Sequence, residues 1–400
     1  MADISGATPA SRAIQTCLDS LPTGGVLALP AGKYRVDSQI GLKKSVTLRT
    51  QGLENSTTRC AIDGNECVRL IADPQLLVYA GMLNTVDANG KSGSIDSKTN
   101  PPNRVDGITI DHIVLDGNRA SRSGSAAYTK CKGAGDGGFD NRYGFNAELF
   151  GDNLTVKYSA SINALCGTAL GFLGNNATIR SNTISNNGVN EPNLWSDGLT
   201  ASYAHNSVIA DNWLVDNTDV GLIVGGGRNV KVTDNRVTQV GKKAFSAMML
   251  HSFFHNTPED RISAKGWGDF TGALITGNTV DCAYTDTNPG KQCFYGFNLG
   301  DHAWTAGTIP LWGGTIANNN IRGGVIAINL DGMGDATHPT TLSNNTAVTK
   351  LNVLTSCTEV PSGRAIASSA YNYNTADSKA VFSPMPAGVT NQETHACIGN

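Results

Sequence analysis

A six-residue pattern, apolar-x-x-Asn-x-apolar, recurs six times along the chain: Ile179/Asn182/Ile184, Ile209/Asn212/Leu214, Val232/Asn235/Val237, Ile275/Asn278/Val280, Ile316/Asn319/Ile321 and Leu342/Asn345/Ala347. The asparagines lie 30, 23, 43, 41 and 26 residues apart. A fixed unit with variable additions is what a solenoid gives when loops are inserted on a repeating frame. An Asn at a tight turn tolerates positive φ, and stacked copies can hydrogen-bond along a ladder, so the slot is expected to serve both ends. The segments ITIDHIVLDG (108–117) and LTVKYSA (154–160) fit the frame without the Asn.

A second strand follows each unit: YGFNAEL (143–149), DGLTASY (197–203), VGLIVGG (220–226), KAFSAMM (243–249), YGFNLGD (295–301) and IAINLDG (326–332). Alternation predicts Leu199, Ala201, Leu222 and Val224 inside and Thr200 and Ser202 outside. Residues 8–21, TPASRAIQTCLDSL, predict one amphipathic helix with Thr8 as N-cap and Pro9 at its first position, followed by the strand, turn and strand of GGVLALPAGKYRV. These features resemble a right-handed parallel β-helix of the pectate-lyase-like superfamily. The resemblance implies an all-β solenoid with an N-terminal cap over 1–50, rungs with inserted loops over 51–350, and a tail over 351–400 packed on the last rungs, one structural domain in all.

Composition agrees with a turn-rich β protein: 46 glycines in 400 residues, 16% charged and 6% aromatic residues. A net charge of −3 offers no basic face for nucleic acid and no polybasic membrane patch. The start MADISGATPASRA has no charged n-region or apolar h-region. The expectation is a secreted or periplasmic protein whose leader lies outside this sequence, or else a cytoplasmic one. Nine cysteines include no CxxC pair, so zinc and dithiol sites are not expected. Cys60/Cys67, Cys282/Cys293 and Cys357/Cys397 are placed to close loops or tie down the tail, and the odd cysteine is expected to be buried.

Insertions fall before the second strand (118–142, 188–196, 281–294) and after it (251–270, 301–313). Such loops would wall a groove whose floor is that strand's outer face, a shape suited to a polymeric ligand. In this column Asp197 precedes Gly198, and Asp219 stands one place earlier in the next rung. With rungs about 4.8 Å apart and residues advancing about 3.3 Å, their Cα atoms are expected about 6 Å apart. Two carboxylates so placed divide into acid and base, as glycoside hydrolysis requires. The competing reading is that both aspartates only cap turns.

WSDGL followed by NTDVGL is similar to the polygalacturonase-type glycoside hydrolases of this fold, in which an Asn-Thr-Asp-Gly strand start precedes an Asp-Asp pair one rung later. The resemblance implies a water-activating base at Asp197 and a general acid at Asp219. Val220 replaces the second Asp of the pair, Lys242 and Lys243 stand where Gly-His-Gly would fall, and no Arg-x-Lys clamp is evident. Glu148 is a third candidate carboxylate. Around it, RYGFNAE shares Tyr143, Gly144 and Phe145 with the Tyr-Gly-Phe-Asp-Pro-His motif of β-helical mannuronan epimerases but lacks that motif's His.

Trp195 is a candidate sugar platform beside Asp197. Arg142, Lys243 and His251 are candidate substrate ligands, with Tyr295, Asn298, Asp301 and Trp304 farther along the column. His251 and His255 have i, i+4 spacing without HExxH, so no metal is expected, and no cofactor. Three functions follow in order: an exported glycoside hydrolase acting on a polysaccharide or oligosaccharide, a lyase or C5-epimerase of uronate polymers, and a non-catalytic glycan-binding spike or adhesin. For the spike the resemblance implies a homotrimer.

Overall fold

The computed structural model describes residues 3–93, 103–132, 141–251, 268–284, 292–300 and 310–349, with shorter stretches at 353–354, 366–367, 369–373, 378–384 and 389–390. The chain divides into two compact units, Met1–Thr200 with Ala210–Thr218 and Ala201–Ile209 with Asp219–Asn400. Both are built of short parallel strands, and each coil contributes one strand to each of three sheets.

In the first unit a coil runs Thr155–Lys157, turn, Ala160–Ile162, turn, Gly167–Leu173. The next begins at Thr178–Arg180, and Thr155 pairs with Thr178, so a coil without an insertion takes 23 residues. The third strand is the longest. Its sheet contains Ile40–Leu42, Leu83–Thr85, Ala147–Phe150, Gly167–Leu173 and Ser196–Ser202, whose first five residues belong to this unit. Leu48, Leu70, Leu83, Leu149, Ile179, Ile184 and Leu199 fill the interior at near-zero exposure. In the second unit the long-strand sheet contains Val220–Gly225, Ala244–Leu250, Cys293–Leu299, Ile326–Leu330 and Ser369–Tyr373. Within 351–400, Ser369–Tyr373 therefore extends that sheet, and Ala380–Ser383 pairs with Thr340–Ser343 in another.

Five of the six recurring asparagines are buried, Asn345 is half-buried, and they form the expected ladder within each unit. In the first unit Asn182 Nδ2 donates to Val156 C=O (2.9 Å) and to Asn212 Oδ1 (3.0 Å), while its Oδ1 accepts the Ser159 N–H (3.0 Å). In the second, Asn235, Asn278, Asn319 and Asn345 repeat this from coil to coil at 2.9–3.0 Å. The turn half of the expectation is corrected. The left-handed residue is the one before each ladder Asn: Ser181 (φ 55°), Asp211 (55°), Asp234 (57°), Gly277 (71°), Asn318 (55°) and Asn344 (52°). The preceding residue turns the backbone, which leaves the Asn side chain directed inward and free to bond between coils. A second, shorter ladder joins Asn187 Nδ2 to Asn217 Oδ1 at 2.7 Å.

The N-terminal helix is Ser11–Ser20, shorter than expected. Thr8 and Pro9 belong to a strand, Ser5–Pro9, paired with Gly32–Val36, and Thr8 Oγ1 donates to Asp3 instead of capping the helix. No side chain caps Ala10. The strand wins because its backbone donors and acceptors are satisfied by the neighbouring strand, where an extended Pro at the end is tolerated. Ile14 and Leu18 are buried, whereas Cys17 is exposed and is the free cysteine among the described residues, contrary to the expected buried thiol.

Disulfides Cys60–Cys67 and Cys282–Cys293 close the two expected loops, and Cys131–Cys166, which the sequence reading missed, joins residues 35 apart. Cys357 and Cys397 lie outside the described residues. The third bridge pins the helix Ala126–Lys132, inside the 118–142 insertion, to the residue preceding Gly167–Leu173. Arg122 is buried in the same insertion and donates to the carbonyls of Leu76 (2.9 Å), Gly117 (3.4 Å) and Tyr143 (3.5 Å). Desolvation lowers its pKa to about 10, which still leaves it charged at neutral pH.

Asn182→Ala is expected to leave the Ser159 N–H and Val156 C=O without partners and to destabilise by about 3 kcal/mol, taking 1–3 kcal/mol per orphaned buried group. Urea unfolding followed by circular dichroism checks this; a loss below about 0.5 kcal/mol would show that the ladder is not holding the coils.

Candidate active site

The outer face of the long-strand sheet carries the candidate residues, and a bend decides which side chains reach it. In the second unit a Cβ on Gly221 would lie 2.6 Å from core Val237 Cγ1 and 2.5 Å from Ala247 C=O, while the next residue, Leu222, is also in the core. Gly296 is the same case, 2.4 Å from Ile321 Cγ2. Two successive residues thus face inward, so residues three apart share the outer face. Any side chain at Gly221 or Gly296 would overlap its neighbours, which explains the Gly after Asp-Val in NTDVGL as packing rather than chemistry.

In the first unit the three-residue relation brings Asp197 and Thr200 together. Thr200 Oγ1 donates to Asp197 Oδ2 at 3.1 Å, and Thr168 Oγ1, from the preceding coil, reaches the same oxygen at 3.4 Å. Asp197 is half-buried. Glu148 pairs in register with Gly171 and is buried, at 5% exposure. Asn84 Oδ1 accepts its backbone N–H at 3.2 Å. A Cβ on Gly171 would meet Glu148 Cγ at 3.5 Å and Thr168 Cγ2 at 3.8 Å, so Glu148, Gly171, Thr168, Asp197 and Thr200 form one continuous small and polar patch. Trp195 is half-buried, and its carbonyl accepts the Gly167 N–H at 2.7 Å. Arg142 sits ahead of Ala147–Phe150 with its guanidinium 4.8 Å from the Tyr79 ring. Thr218 Oγ1 accepts the Ser196 N–H at 3.0 Å, and Thr218 immediately precedes Asp219 in sequence.

In the second unit Asp219 is half-buried, its carbonyl accepts the Phe245 N–H at 2.7 Å, and its Oδ1 meets no hydrogen-bond donor. Desolvation pushes its pKa up to about 6. Val220, the residue after it, belongs to a buried apolar cluster with Ile223, Phe245, Met249, Tyr295 and Ile326. Tyr295 is wholly buried there, against Phe245 (5.3 Å) and Phe294 (4.7 Å). Asn298 is also fully buried, accepting from Asn329 Nδ2 at 2.8 Å. His251 is buried, its N–H on Val224 C=O, and Lys243 is exposed. Asp301, Trp304 and His255 lie outside the described residues. Trp312 stacks on His338 at 4.0 Å. Among the described residues no group of three or more His, Cys, Asp or Glu is placed to hold a metal, and no helix is long and apolar enough to cross a membrane.

Thus Glu148, Asp197, Trp195 and Arg142 belong to the face of the first unit, and Asp219, Lys243, His251, Tyr295 and Asn298 to the second. Sequence reasoning missed Thr168 and Gly171, because neither belongs to a motif. It also missed Tyr79, whose ring meets Tyr143 edge-on at 5.7 Å.

The family model described as "Right handed beta helix region" matches residues 103–280. The fold is a right-handed parallel β-helix. Among solved structures, a polygalacturonase from Erwinia carotovora ssp. carotovora superposes with a TM-score of 0.53 at 12% identity, covering 98% of each chain. A family 28 exopolygalacturonase from Yersinia enterocolitica gives 0.49 at 15% identity over 88% of this chain and 65% of that one, and the Dettilon tailspike protein 0.48 at 15% over 95% and 66%. No curated protein matches the sequence significantly. At such identities the likeness is one of fold, and the chemistry has to be argued from the side chains.

The Asp219 carboxyl has a sign that titration checks. Its folded pKa is raised above the ordinary value of 3.8, so the folded state holds the proton more tightly. The stability this contributes is full below about pH 4 and is lost as pH rises through about 6. Asp219→Asn is therefore expected to remove the part of the stability decline between pH 4 and 7 that belongs to this group, read from unfolding midpoints across that range. An unchanged pH profile would refute the desolvated carboxyl.

Proposed function

We propose that the protein is an exported glycoside hydrolase acting on a polysaccharide, with Asp197 as the candidate water-activating base and Asp219 as a candidate general acid, each role argued from that residue's own surroundings. The observation that carries the reading is the unequal setting of two aspartates. Asp197 receives hydroxyl hydrogens from Thr200 and Thr168, which suits an ionised carboxylate, whereas Asp219 is desolvated and keeps its proton to about pH 6. A carboxyl that keeps its proton and a carboxylate that can accept one are the two roles in acid-base cleavage of a glycosidic bond. Glu148 is the second carboxylate of the polar patch around Asp197 and contacts a neighbouring sugar. The small side chains around it, Gly171 and Thr168, leave the face open to a flat ring.

Three disulfides support an oxidising compartment, since cytosolic thiols are kept reduced. The fold likeness to polygalacturonases supports a glycan as substrate class and no more than that.

Asp197→Asn and Asp219→Asn are each expected to lower turnover by at least about 100-fold, the scale of a lost acid or base, with unfolding midpoints nearly unchanged at pH 5. Reducing-end assays over a panel of polysaccharides measure it. Wild-type activity retained in both variants would sink the assignment. Products that absorb as conjugated unsaturated uronates would replace the hydrolase by a lyase, and binding without any product would leave a glycan-binding spike.

A further inference from the structure

We infer that Thr218 is a positioning residue for Asp197: its buried hydroxyl clips the end of the 188–196 insertion, so that the carboxylate enters the outer face at one fixed point. The inference rests on reading Asp197 as the water-activating base. Asp197 directly follows that insertion, and an inserted segment takes many positions unless its backbone groups are bonded to their neighbours. Here three consecutive residues ahead of Asp197 are bonded to the coils on either side. The Leu194 C=O accepts from Thr218 Oγ1 at 3.3 Å, the Trp195 C=O accepts the Gly167 N–H at 2.7 Å, and the Ser196 N–H donates to Thr218 Oγ1 at 3.0 Å. Gly167 opens the long strand of the preceding coil, and Thr218 lies in the turn after Trp213–Val215 of the following one.

The clip is itself firmly mounted. The Thr218 N–H donates to the Asn187 C=O at 3.2 Å. Asn217, before it, stands in the second ladder, with Nδ2 on the Ile184 C=O at 3.2 Å and Oδ1 accepting from Asn187 Nδ2 at 2.7 Å. Gly188 leaves the space that the hydroxyl needs. A Cβ there would lie 2.0 Å from Thr218 Oγ1, 2.3 Å from the Leu194 carbonyl oxygen and 2.8 Å from the Ser196 nitrogen, which are the three atoms of the clip. Val189 and Leu194 exchange backbone hydrogen bonds of 2.9 Å in both directions, closing the loop between them on itself. The hydroxyl then ties the closed loop to the next coil.

Thr218 does not touch substrate. Its side chain is wholly buried, and its hydroxyl both donates to Leu194 and accepts from Ser196. Its effect passes through Asp197, whose Oδ2 receives the hydroxyl hydrogens of Thr200 at 3.1 Å and Thr168 at 3.4 Å. Those two bonds hold only while the backbone beneath Asp197 stays in place. A shift of about 1 Å in a reacting group costs up to about 100-fold in rate.

The test compares wild type with Thr218→Val, which keeps the shape and loses the hydroxyl, and Thr218→Ser, which keeps the hydroxyl. Thr218→Ala is a second loss variant, since it sets no extra methyl against the two polar groups. All are assayed at a temperature where circular dichroism shows each one folded. On a polysaccharide that the wild type cleaves, Thr218→Val and Thr218→Ala are expected to lower kcat at least about tenfold with KM nearly unchanged, and Thr218→Ser to restore it. In an Asp197→Asn background the same loss is expected to shrink to less than about twofold, because a residue that acts through Asp197 has nothing left to act on. An equal loss in both backgrounds, or full turnover in the loss variants, would overturn the assignment. Acrylamide quenching of Trp195, taken as the difference between each protein and its Trp195→Phe counterpart, reads the clip without substrate. It is expected to rise in the loss variants and not in Thr218→Ser; an unchanged value in the loss variants would equally overturn the clip. A wild type that releases no reducing ends from any polysaccharide removes the hydrolase, and the quenching then decides the clip alone.

Discussion

A buried asparagine amide brings two donors and an acceptor into a place where water cannot satisfy them, and this protein answers by stacking asparagines on one another. Every ladder asparagine donates to a carbonyl, and Asn182, Asn235, Asn278 and Asn319 donate also to the amide oxygen of the next coil; Asn182 shows the full set, with Val156, Asn212 and Ser159. The bonds run along the stack, so they set the register between coils within each unit. Every other element inherits that register: the aliphatic layers inside, the strand pairs, and the rows of side chains outside. The turn itself depends on the residue before the asparagine, which takes the left-handed conformation. Ser, Asp, Asn and Gly all serve there, and that tolerance explains why the position has no fixed letter in the repeat.

On this frame the outer face of the long-strand sheet differs between the units. In the first it is small and polar, with Thr168, Gly171, Asp197 and Thr200 around a buried Glu148. In the second the corresponding kind of surface is an apolar cluster around Val220 and Tyr295. Asp219 directly precedes Val220 of that cluster, and its raised proton affinity follows from desolvation. The contrast between a hydroxyl-bonded and a desolvated aspartate is what gives the proposed chemistry its direction.

The insertions matter as much as the rungs. A disulfide, a buried arginine and carbonyl hydrogen bonds fix residues 118–132 and the turn Asn141–Gly144 to the coils beneath them. Fixed in this way, they keep one arrangement ahead of the strand that carries Glu148. A loop tethered only at its ends would spread the same residues over many positions, with a larger loss of entropy on binding.

The solenoid was legible because coil stacking imposes a repeat on the letters themselves: apolar residues at fixed offsets, an asparagine between them, and insertions that leave the unit intact. The alternation that put Leu222 and Val224 inside was legible for the same reason. The helix boundary was not, because Thr8 and Pro9 had two uses, and pairing with Gly32–Val36 outweighed a local capping signal. Nor was the bond between Cys131 and Cys166, residues far apart in sequence that only the folded insertion brings together. The basic residues of 118–132 could have been counted from the letters, but not that Arg122 is spent on carbonyls. The sequence by itself determined the repeat, the inward residues and the list of acids. Only tertiary structure decided which acids keep a proton and which side chains reach the face, since both depend on a bend in the strand and on neighbours that belong to other coils.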